Sequence, residues 1–215
     1  YNNGTPSDIS SLSPVSWWKL NAQDTFDGTN WTIKDYAGSN DGTSSGMTSA
    51  NLVQSNLQHT SGYSPYALDF DGISQYITAG TTSYLNNLTE MSVSVWFNLE
   101  TAAINKGIIS DYTFPSIGHF ALLSKNVLGN NYSVRSYLND GNGTESSIQI
   151  NNYPFTAGKW HNLVMIFVSS TINFYVDGQA AASSAYSGTT PSSFADSTAT
   201  LNIGKYSSLE WDGQI

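Results

Sequence analysis

Oxygen-bearing side chains cluster in one glycine-rich segment near the start of the chain. Asp35, Asn40 and Asp41 lie in the segment KDYAGSNDG, which has the composition of a loop. Carboxylate and amide oxygens are the hard ligands that Ca²⁺ prefers, so these three residues are the candidate metal ligands and Ca²⁺ is the candidate cofactor. Asp, Asn and Gly also form turns that hold no metal, and this alternative stays open. A second loop, NDGNGTE at 139–145, carries a similar but weaker pattern.

Aromatic residues in predicted loops form a second chemical set. Sugar CH groups pack against aromatic faces, while polar side chains supply the orienting hydrogen bonds. We therefore expect a group of exposed loop aromatics to bind carbohydrate, namely Trp31, Tyr63, Tyr112, Phe114, Tyr186, Tyr206 and Trp211. The alternative is that the core takes these rings, as we expect for Trp18, Trp96 and Trp160.

Catalytic patterns are weak in this sequence. Asp69 and Asp71 share one face of a predicted strand, so they could act together on a glycosidic bond. A role in the turn of the segment DFDG is the favoured reading of both. The histidines are scattered and have no neighbouring Cys, which disfavours a zinc site. We expect that the chain is not an enzyme.

Charged residues are few and mostly acidic. The chain has 7 Lys and Arg residues against 16 Asp and Glu residues, a net charge of -9, and Arg135 as its only arginine. Nucleic acids and anionic membranes both attract basic patches, so neither is an expected partner. Insertion into a membrane is not expected either, because no apolar run is long enough for a transmembrane helix.

The segments that hold these residues in place are predicted to be short β-strands. The apolar run 160–168 predicts a strand covered on both faces, and the alternation of Ile172, Phe174 and Val176 predicts a half-buried partner strand. Residues 91–97 alternate in the same way. Many such strands, separated by Gly, Asp and Asn turns, predict an all-β fold with two antiparallel sheets packed as a sandwich.

Two regions differ in composition. Residues 1–14 are polar and contain two prolines, which indicates a linker or tether. Residues 15–215 read as a single domain, since sandwiches of this length occur as one unit. The final predicted strand covers residues 211–215.

Several segments form an ordered set that is more specific than any one of them. They are SWWKL (16–20), KDYAGSNDGT (34–43), ALDFDGISQYI (67–77), MSVSVWF (91–97), GKWHNLVMIF (158–167), YVDGQ (175–179), LNIG (201–204) and WDGQI (211–215). This set resembles the laminin-G-like branch of the concanavalin A-like lectin/glucanase superfamily. The resemblance implies a jelly roll of two antiparallel sheets, in which calcium often lies at the loop rim. Glucanases of this fold carry a strand of the pattern E-x-D-x-x-E, which this sequence lacks. Domains of this branch usually continue a segment like WDGQI with a run of the type D-x-V-R-I-Y. Since this sequence stops at Ile215, the resemblance implies a domain that lacks part or all of its last strand.

A narrower resemblance concerns SDISSLSPVSWWKL (7–20) and LVQSNLQHTSGYSPYALDFDG (52–72). These segments are similar to domains in virion structural proteins of marine bacteriophages, often those of cyanobacteria. The similarity implies an extracellular place on a virion surface, with other virion or fibre subunits as neighbours. With the aromatic set it predicts a non-catalytic, lectin-like module that binds polysaccharide or cell-surface glycan. The alternatives are a purely structural fibre domain that makes protein–protein contacts and, less expected, a glycan hydrolase.

Overall fold

The computed structural model describes residues 6–57, 65–112, 118–139, 145–151 and 155–215. Within these ranges the chain forms β-strands and short 3-10 turns at Ser10–Leu12, Ser49–Asn51 and Ser83–Leu85. No helix of the described part is long and apolar enough to cross a membrane. The predicted all-β class is confirmed.

The strands follow one another at short intervals along the chain. In order they are β1 (Thr25–Phe26), β2 (Trp31–Ile33), β3 (Gly42–Ser45), β4 (Leu52–Gln54), β5 (Tyr66–Asp71), β6 (Tyr76–Thr81), β7 (Glu90–Leu99), β8 (Gly107–Ser110), β9 (Phe120–Leu128), β10 (Asn131–Asn139), β11 (Glu145–Ile150), β12 (Phe155–Thr156), β13 (His161–Val168), β14 (Thr171–Val176), β15 (Gln179–Ala181), β16 (Ser183–Ser187), β17 (Thr200–Ile203), β18 (Lys205–Tyr206), β19 (Leu209–Glu210) and β20 (Asp212–Gln214).

Most of these strands pair into two large antiparallel sheets, and β18 pairs with β19 in a separate hairpin. The large sheet has the order β1-β2-β3-β6-β17-β8-β9-β10-β11-β16, with β12 paired to β10. The small sheet has the order β15-β14-β13-β7-β20-β5-β4. Strands far apart in the chain lie side by side, as β6 and β17 do, which is the pattern of a jelly roll. The predicted two-sheet sandwich is therefore confirmed.

The hydrophobic core lies between the two sheets and takes side chains from both. Its fully buried members include Ile33, Leu68, Ile77, Phe97, Leu99, Phe155, Phe167, Phe174 and Trp211. Because successive strand residues point to opposite faces, each sheet presents one apolar face inward and a second face outward.

The apolar run at the centre of the sequence forms β13, and its partner β14 follows after a tight turn. Leu163, Met165 and Phe167 are fully buried in the core. The expectation that both faces of this strand are covered is wrong, since Val164 is only half-buried and Val168 is 38% exposed. The small sheet keeps an outer face in contact with solvent, as antiparallel sheets commonly do.

The two ends of the domain differ in their strand structure. The segment 15–20 is not a regular strand, because its only β-pairing in the described part is a single bridge from Trp18 to Asp35. Strand β20 lies inside the small sheet between β5 and β7. The expectation of an incomplete last strand stays a prediction. The proposed boundary at residue 14 stays a prediction.

Candidate functional site

A second cluster of side chains lies on the outer face of the large sheet. Leu138 packs in the core, whereas its neighbour Tyr137 packs with Tyr112 and Tyr206 in a separate group. Because residues two apart in a strand share a face, Arg135 lies on the same outer face as Tyr137. This face therefore combines aromatic rings with a cation.

The three tyrosines form a floor of nearly parallel rings. The ring of Tyr137 lies 5.8 Å from that of Tyr206 and 6.4 Å from that of Tyr112, with interplanar angles of 10° and 13°. Tyr206 comes from the β18–β19 hairpin, which passes very close to β8. A Cβ added to Gly107 would lie 2.1 Å from the backbone nitrogen of Tyr206, so glycine is required at this crossing.

Arg135 is held beside this floor and is only 5% exposed. Its Nε and Nη2 donate to Oε1 of Gln149, and its Nη1 donates to the hydroxyl of Tyr137 at 3.4 Å. The ring of Tyr186 covers the guanidinium, with 3.4 Å between Cζ and the ring centroid. This stacking is favourable because the ring face carries a partial negative charge.

The charge of Arg135 has no anionic partner in the described part of the chain, where no Asp or Glu forms an ion pair with it. Its acceptors are neutral oxygens, which compensate a buried cation less well than a carboxylate does. Lys125 brings a second cation, with its Nζ 5.8 Å from the ring centroid of Tyr137. We call Lys125, Arg135, Tyr137, Gln149 and Tyr186 the Arg135 platform.

Tyr186 is the described member of the predicted sugar-binding set that is clearly exposed. It lies on the edge strand β16 and is 65% exposed above Arg135. Its part in binding stays a prediction. Tyr63 and Phe114 belong to the same predicted set but lie outside the described residues.

The two tryptophans of the predicted set are buried, so the expectation that they are exposed is wrong. Trp31 is 5% exposed and its Nε1 donates to the carbonyl of Thr48 at 2.8 Å. Trp211 is 0% exposed and packs edge-on against Phe97 at 5.5 Å. Both rings belong to the main hydrophobic core between the two sheets.

The expectation of exposure is also wrong for Tyr112 and Tyr206, which are 1% and 9% exposed. They are buried because the hairpin folds down onto the large sheet and presses the rings against Tyr137. Trp18, Trp96 and Trp160, which were expected in the core, are only half-buried. Of these three, Trp18 packs against the hydrophobic core.

The three predicted calcium ligands do meet in one corner of the fold, around Asp35. The Asp35 carboxylate accepts hydrogen bonds from the backbone N–H groups of Trp17, Ala37, Gly38 and Asn40, at 2.8 to 3.1 Å. Burial pushes the pKa of Asp35 upward, but the four backbone donors together outweigh it and hold this pKa below its usual value.

The neighbouring residues complete the same corner. Asp41 Oδ1 accepts the Asp35 N–H at 2.8 Å, and the Asn40 side chain donates to Ser16 Oγ at 3.0 Å. The carbonyl of Asn40 accepts the indole N–H of Trp18. Because its oxygens already face N–H donors, Asp35 fits calcium poorly, and the corner fastens the segment 15–20 to the sheet. Calcium at this corner stays a prediction.

The remaining candidates for chemistry lie away from the platform. Asp71 accepts the backbone N–H groups of Ile73, Ser74 and Gln75, which confirms its turn role. Asp69 lies on the small sheet and is half-buried. His161 is the first residue of β13, and its Nδ1 lies 2.9 Å from Asp177 Oδ2.

Sequence reasoning missed most of the Arg135 platform. The signal that could have found it is the lone arginine, two residues before a tyrosine in a strand with apolar neighbours. Gln149 carried no such signal, because its position opposite Arg135 depends on the pairing of β10 with β11.

Comparison with known protein families identifies the fold. A laminin G family model, described as the concanavalin A-like lectin/glucanases superfamily, matches residues 71–215. The chain belongs to this superfamily. The match covers most of the chain, and the two-sheet jelly roll agrees with it. No curated protein is significantly similar to the sequence.

Solved structures with similar folds come from several sources. One is domain 4 of AbnA, a GH43 extracellular arabinanase from Geobacillus stearothermophilus, in complex with arabinotriose; the identity is 12%, the TM-score 0.54, and the match covers 94% of this chain and 90% of that one. A SAP-like pentraxin from Limulus polyphemus is 14% identical, with a TM-score of 0.48 and coverages of 68% and 70%. Domains LG4-5 of mouse laminin alpha1 are 16% identical, with a TM-score of 0.42 and coverages of 69% and 38%. At such identities, the likeness to the AbnA domain supports the fold alone.

Proposed function

We propose that this domain is a non-catalytic carbohydrate-recognition module that binds acidic polysaccharide on the Arg135 platform. The observation that carries the proposal is a buried arginine without an anionic partner in the described part of the chain, beneath the exposed ring of Tyr186. A sugar carboxylate or sulfate would supply the missing negative charge. The ring of Tyr186 would supply the apolar face that sugar CH groups pack against.

The guanidinium has the geometry for this task. It carries five N–H donors in a rigid planar fork that matches the oxygens of a carboxylate or sulfate. Three hydrogen bonds to Gln149 and Tyr137 fix its plane and leave donor capacity for a ligand. Lys125 adds positive charge at the same face of an otherwise acidic protein.

We place the domain in a larger extracellular assembly, with the surface of a phage virion as the proposed setting. The resemblance of residues 7–20 and 52–72 to bacteriophage virion proteins supports this placement. The arabinotriose bound to domain 4 of AbnA supports a sugar ligand on this fold. Many copies on one particle would convert a weak individual affinity into firm attachment.

The platform favours binding over catalysis. Hydrolysis of a glycosidic bond needs two carboxyl groups on either side of it. The members of the platform are two cations, two tyrosines and an amide. Absence of glycan hydrolase and lyase activity is therefore part of the proposal. Release of reducing ends or unsaturated products from a bound polysaccharide would count against it.

The binding test compares acidic and neutral polysaccharides. We expect the wild type to bind uronate-containing or sulfated chains and to bind neutral glucans much less. Arg135→Gln should weaken acidic binding by roughly 10- to 100-fold, because a charge-assisted hydrogen bond contributes about 1.5–3 kcal/mol. Isothermal titration calorimetry and glycan arrays measure both effects, and Arg135→Lys keeps the charge if the Gln variant folds poorly.

Lys159→Ala is the matched control, since it removes the same charge from an exposed position before β13. It should leave binding unchanged. Equal binding of neutral and acidic chains would refute the anionic part of the proposal. If a folded Arg135→Gln variant binds acidic polysaccharide as well as the wild type does, the Arg135 platform is not the binding site.

A further inference from the structure

Three polar residues lie side by side on the outer face of the small sheet. Gln214 on β20 pairs in register with Asp69 on β5 and with Asn98 on β7. Residues paired in this way share a face of the sheet. Leu68 and Phe97, each next in sequence to one of them, point into the core, so the row faces outward.

Each residue of this row has a buried oxygen that lacks a hydrogen-bond partner in the described structure. The atoms are Oδ1 of Asp69, Oδ1 of Asn98 and Oε1 of Gln214. Asn98 is only 7% exposed, so bulk solvent does not hydrate its side chain freely. Buried acceptors without donors are unfavourable, and three neighbouring ones are rare in native proteins.

We propose that the row of Asp69, Asn98 and Gln214 binds a divalent cation, with Ca²⁺ as the ion that suits it best. Carboxylate and amide oxygens are the hard ligands of Ca²⁺, which accepts them in flexible geometry and completes its shell with water. A single water molecule offers only two donors and cannot satisfy three acceptors, whereas a cation attracts all three.

The electrostatic surroundings support a cation. Burial, with Glu100 and Asp212 adding negative charge nearby, raises the pKa of Asp69 from its usual 3.8 to about 6. Both causes disfavour the ionised carboxylate in the absence of a positive partner. A bound cation would reverse this effect, so it would compete with a proton for Asp69.

The backbone holds the row close together at Gly213. This residue has a φ of +132°, and an added Cβ would lie 2.2 Å from the backbone oxygen of Asn98. Only glycine permits this close approach of β20 to β7. The neighbouring Gln214 is thus fixed between its two partners before any ion binds.

The proposed cation site is separate from both other polar regions. The Asp35 corner meets its carboxylate with backbone N–H groups, whereas the three oxygens of this row have no hydrogen-bond partner among the described residues. The Arg135 platform lies on the other sheet. The inference therefore does not depend on the proposed sugar binding.

Thermal unfolding of the full chain tests the site. After treatment with EDTA, millimolar Ca²⁺ should raise the melting temperature by several degrees at pH 7.5 and by less at pH 5, where Asp69 takes up a proton. Asp69→Asn should abolish the shift at pH 7.5. Gln214→Glu, which adds a carboxylate at a half-buried position, should increase it. Calorimetric titration should give one ion per chain.

Asp41→Asn is the matched control, because it makes the same charge change at the Asp35 corner and keeps an oxygen for the Asp35 N–H. It should retain the whole Ca²⁺ shift. If Asp41→Asn loses the Ca²⁺-induced shift in melting temperature and Asp69→Asn keeps it, the ion binds at the Asp35 corner and the proposal is overturned. If the melting temperature of the wild type changes with pH but not with Ca²⁺, a proton alone neutralises Asp69, and the proposal is also overturned.

Discussion

The Asp35 corner and the Arg135 platform both bury a charge, but they treat it in opposite ways. Asp35 is 3% exposed and accepts four backbone N–H groups, so nearby dipoles compensate its charge. Arg135 is 5% exposed, and its partners among the described residues are neutral oxygens and one aromatic ring. The two side chains are therefore about equally buried, but the charge of Asp35 is much better compensated than the charge of Arg135.

This difference separates a structural charge from one available to a ligand. A buried charge whose hydrogen bonds all close within the chain stabilises the fold and has little left to offer. A buried charge that lacks its counter-ion keeps part of its interaction energy for a partner. We therefore expect mutations at the corner to affect stability and mutations at the platform to affect binding.

The largest expected effect is on stability at the corner. Asp35→Ala leaves four backbone N–H groups without their acceptor and should destabilise the domain by about 3–5 kcal/mol, since each buried unsatisfied donor costs about 1–3 kcal/mol. Denaturant unfolding measures this loss. Asp27→Asn, at an exposed turn with two similar backbone bonds, is the control and should cost far less. If Asp35→Ala loses no more unfolding free energy than the control does, the Asp35 charge is not a structural one, and the contrast with the Arg135 platform fails.

A smaller effect is expected on binding at the platform. Tyr186→Ala removes the exposed ring over Arg135 and should weaken acidic polysaccharide binding by roughly 2- to 10-fold, because an aromatic contact is worth about 0.5–1.5 kcal/mol. Its melting temperature should hardly change, since the ring is mostly exposed. Tyr175→Ala, on the outer face of the small sheet, is the matched control and should bind normally. Unchanged binding in both variants would place the sugar elsewhere.

The smallest effect concerns pH and has opposite signs at two carboxylates. The pKa of Asp69 is raised to about 6, so its contribution to stability is complete below pH 3.8 and is lost as the pH rises through 6. The pKa of Asp35 is lowered, so its contribution is present above 3.8 and is lost as the pH falls through its folded value. Without divalent cations, Asp69→Asn should melt slightly higher than wild type at pH 7.5 and equally at pH 3.5. A lower melting temperature at pH 7.5 would contradict the raised pKa.

The alternation of apolar and polar residues predicted much of the fold. The hairpin of β13 and β14 is where the pattern placed it, because the residues of a strand and their period of two are local properties. Segment 183–187 was missed as a strand, since its small polar residues form the edge of the large sheet and bury almost nothing. Edge strands give a weak pattern for this reason.

The candidate sites were predicted less well than the fold. Asp35, Asn40 and Asp41 were correctly expected to lie together, because they are close in sequence. Their use as a hydrogen-bonded corner depends on Trp17, which comes from a different segment. Trp31 and Trp211 look like loop aromatics in sequence, yet neighbouring strands cover them.

Local sequence patterns were enough to predict the class of this protein, an acidic, cysteine-free β-sandwich whose strands and turns follow from local periodicity. Which side chains lie close enough to compensate each charge depends on the tertiary structure. Arg135 meets Gln149 through strand pairing and Tyr186 through a bulged edge strand, and Asp69 and Asn98 flank Gln214 because β20 lies between β5 and β7. Compensation of a charge depends on distances of a few Å between residues far apart in the chain, and no local pattern encodes those distances.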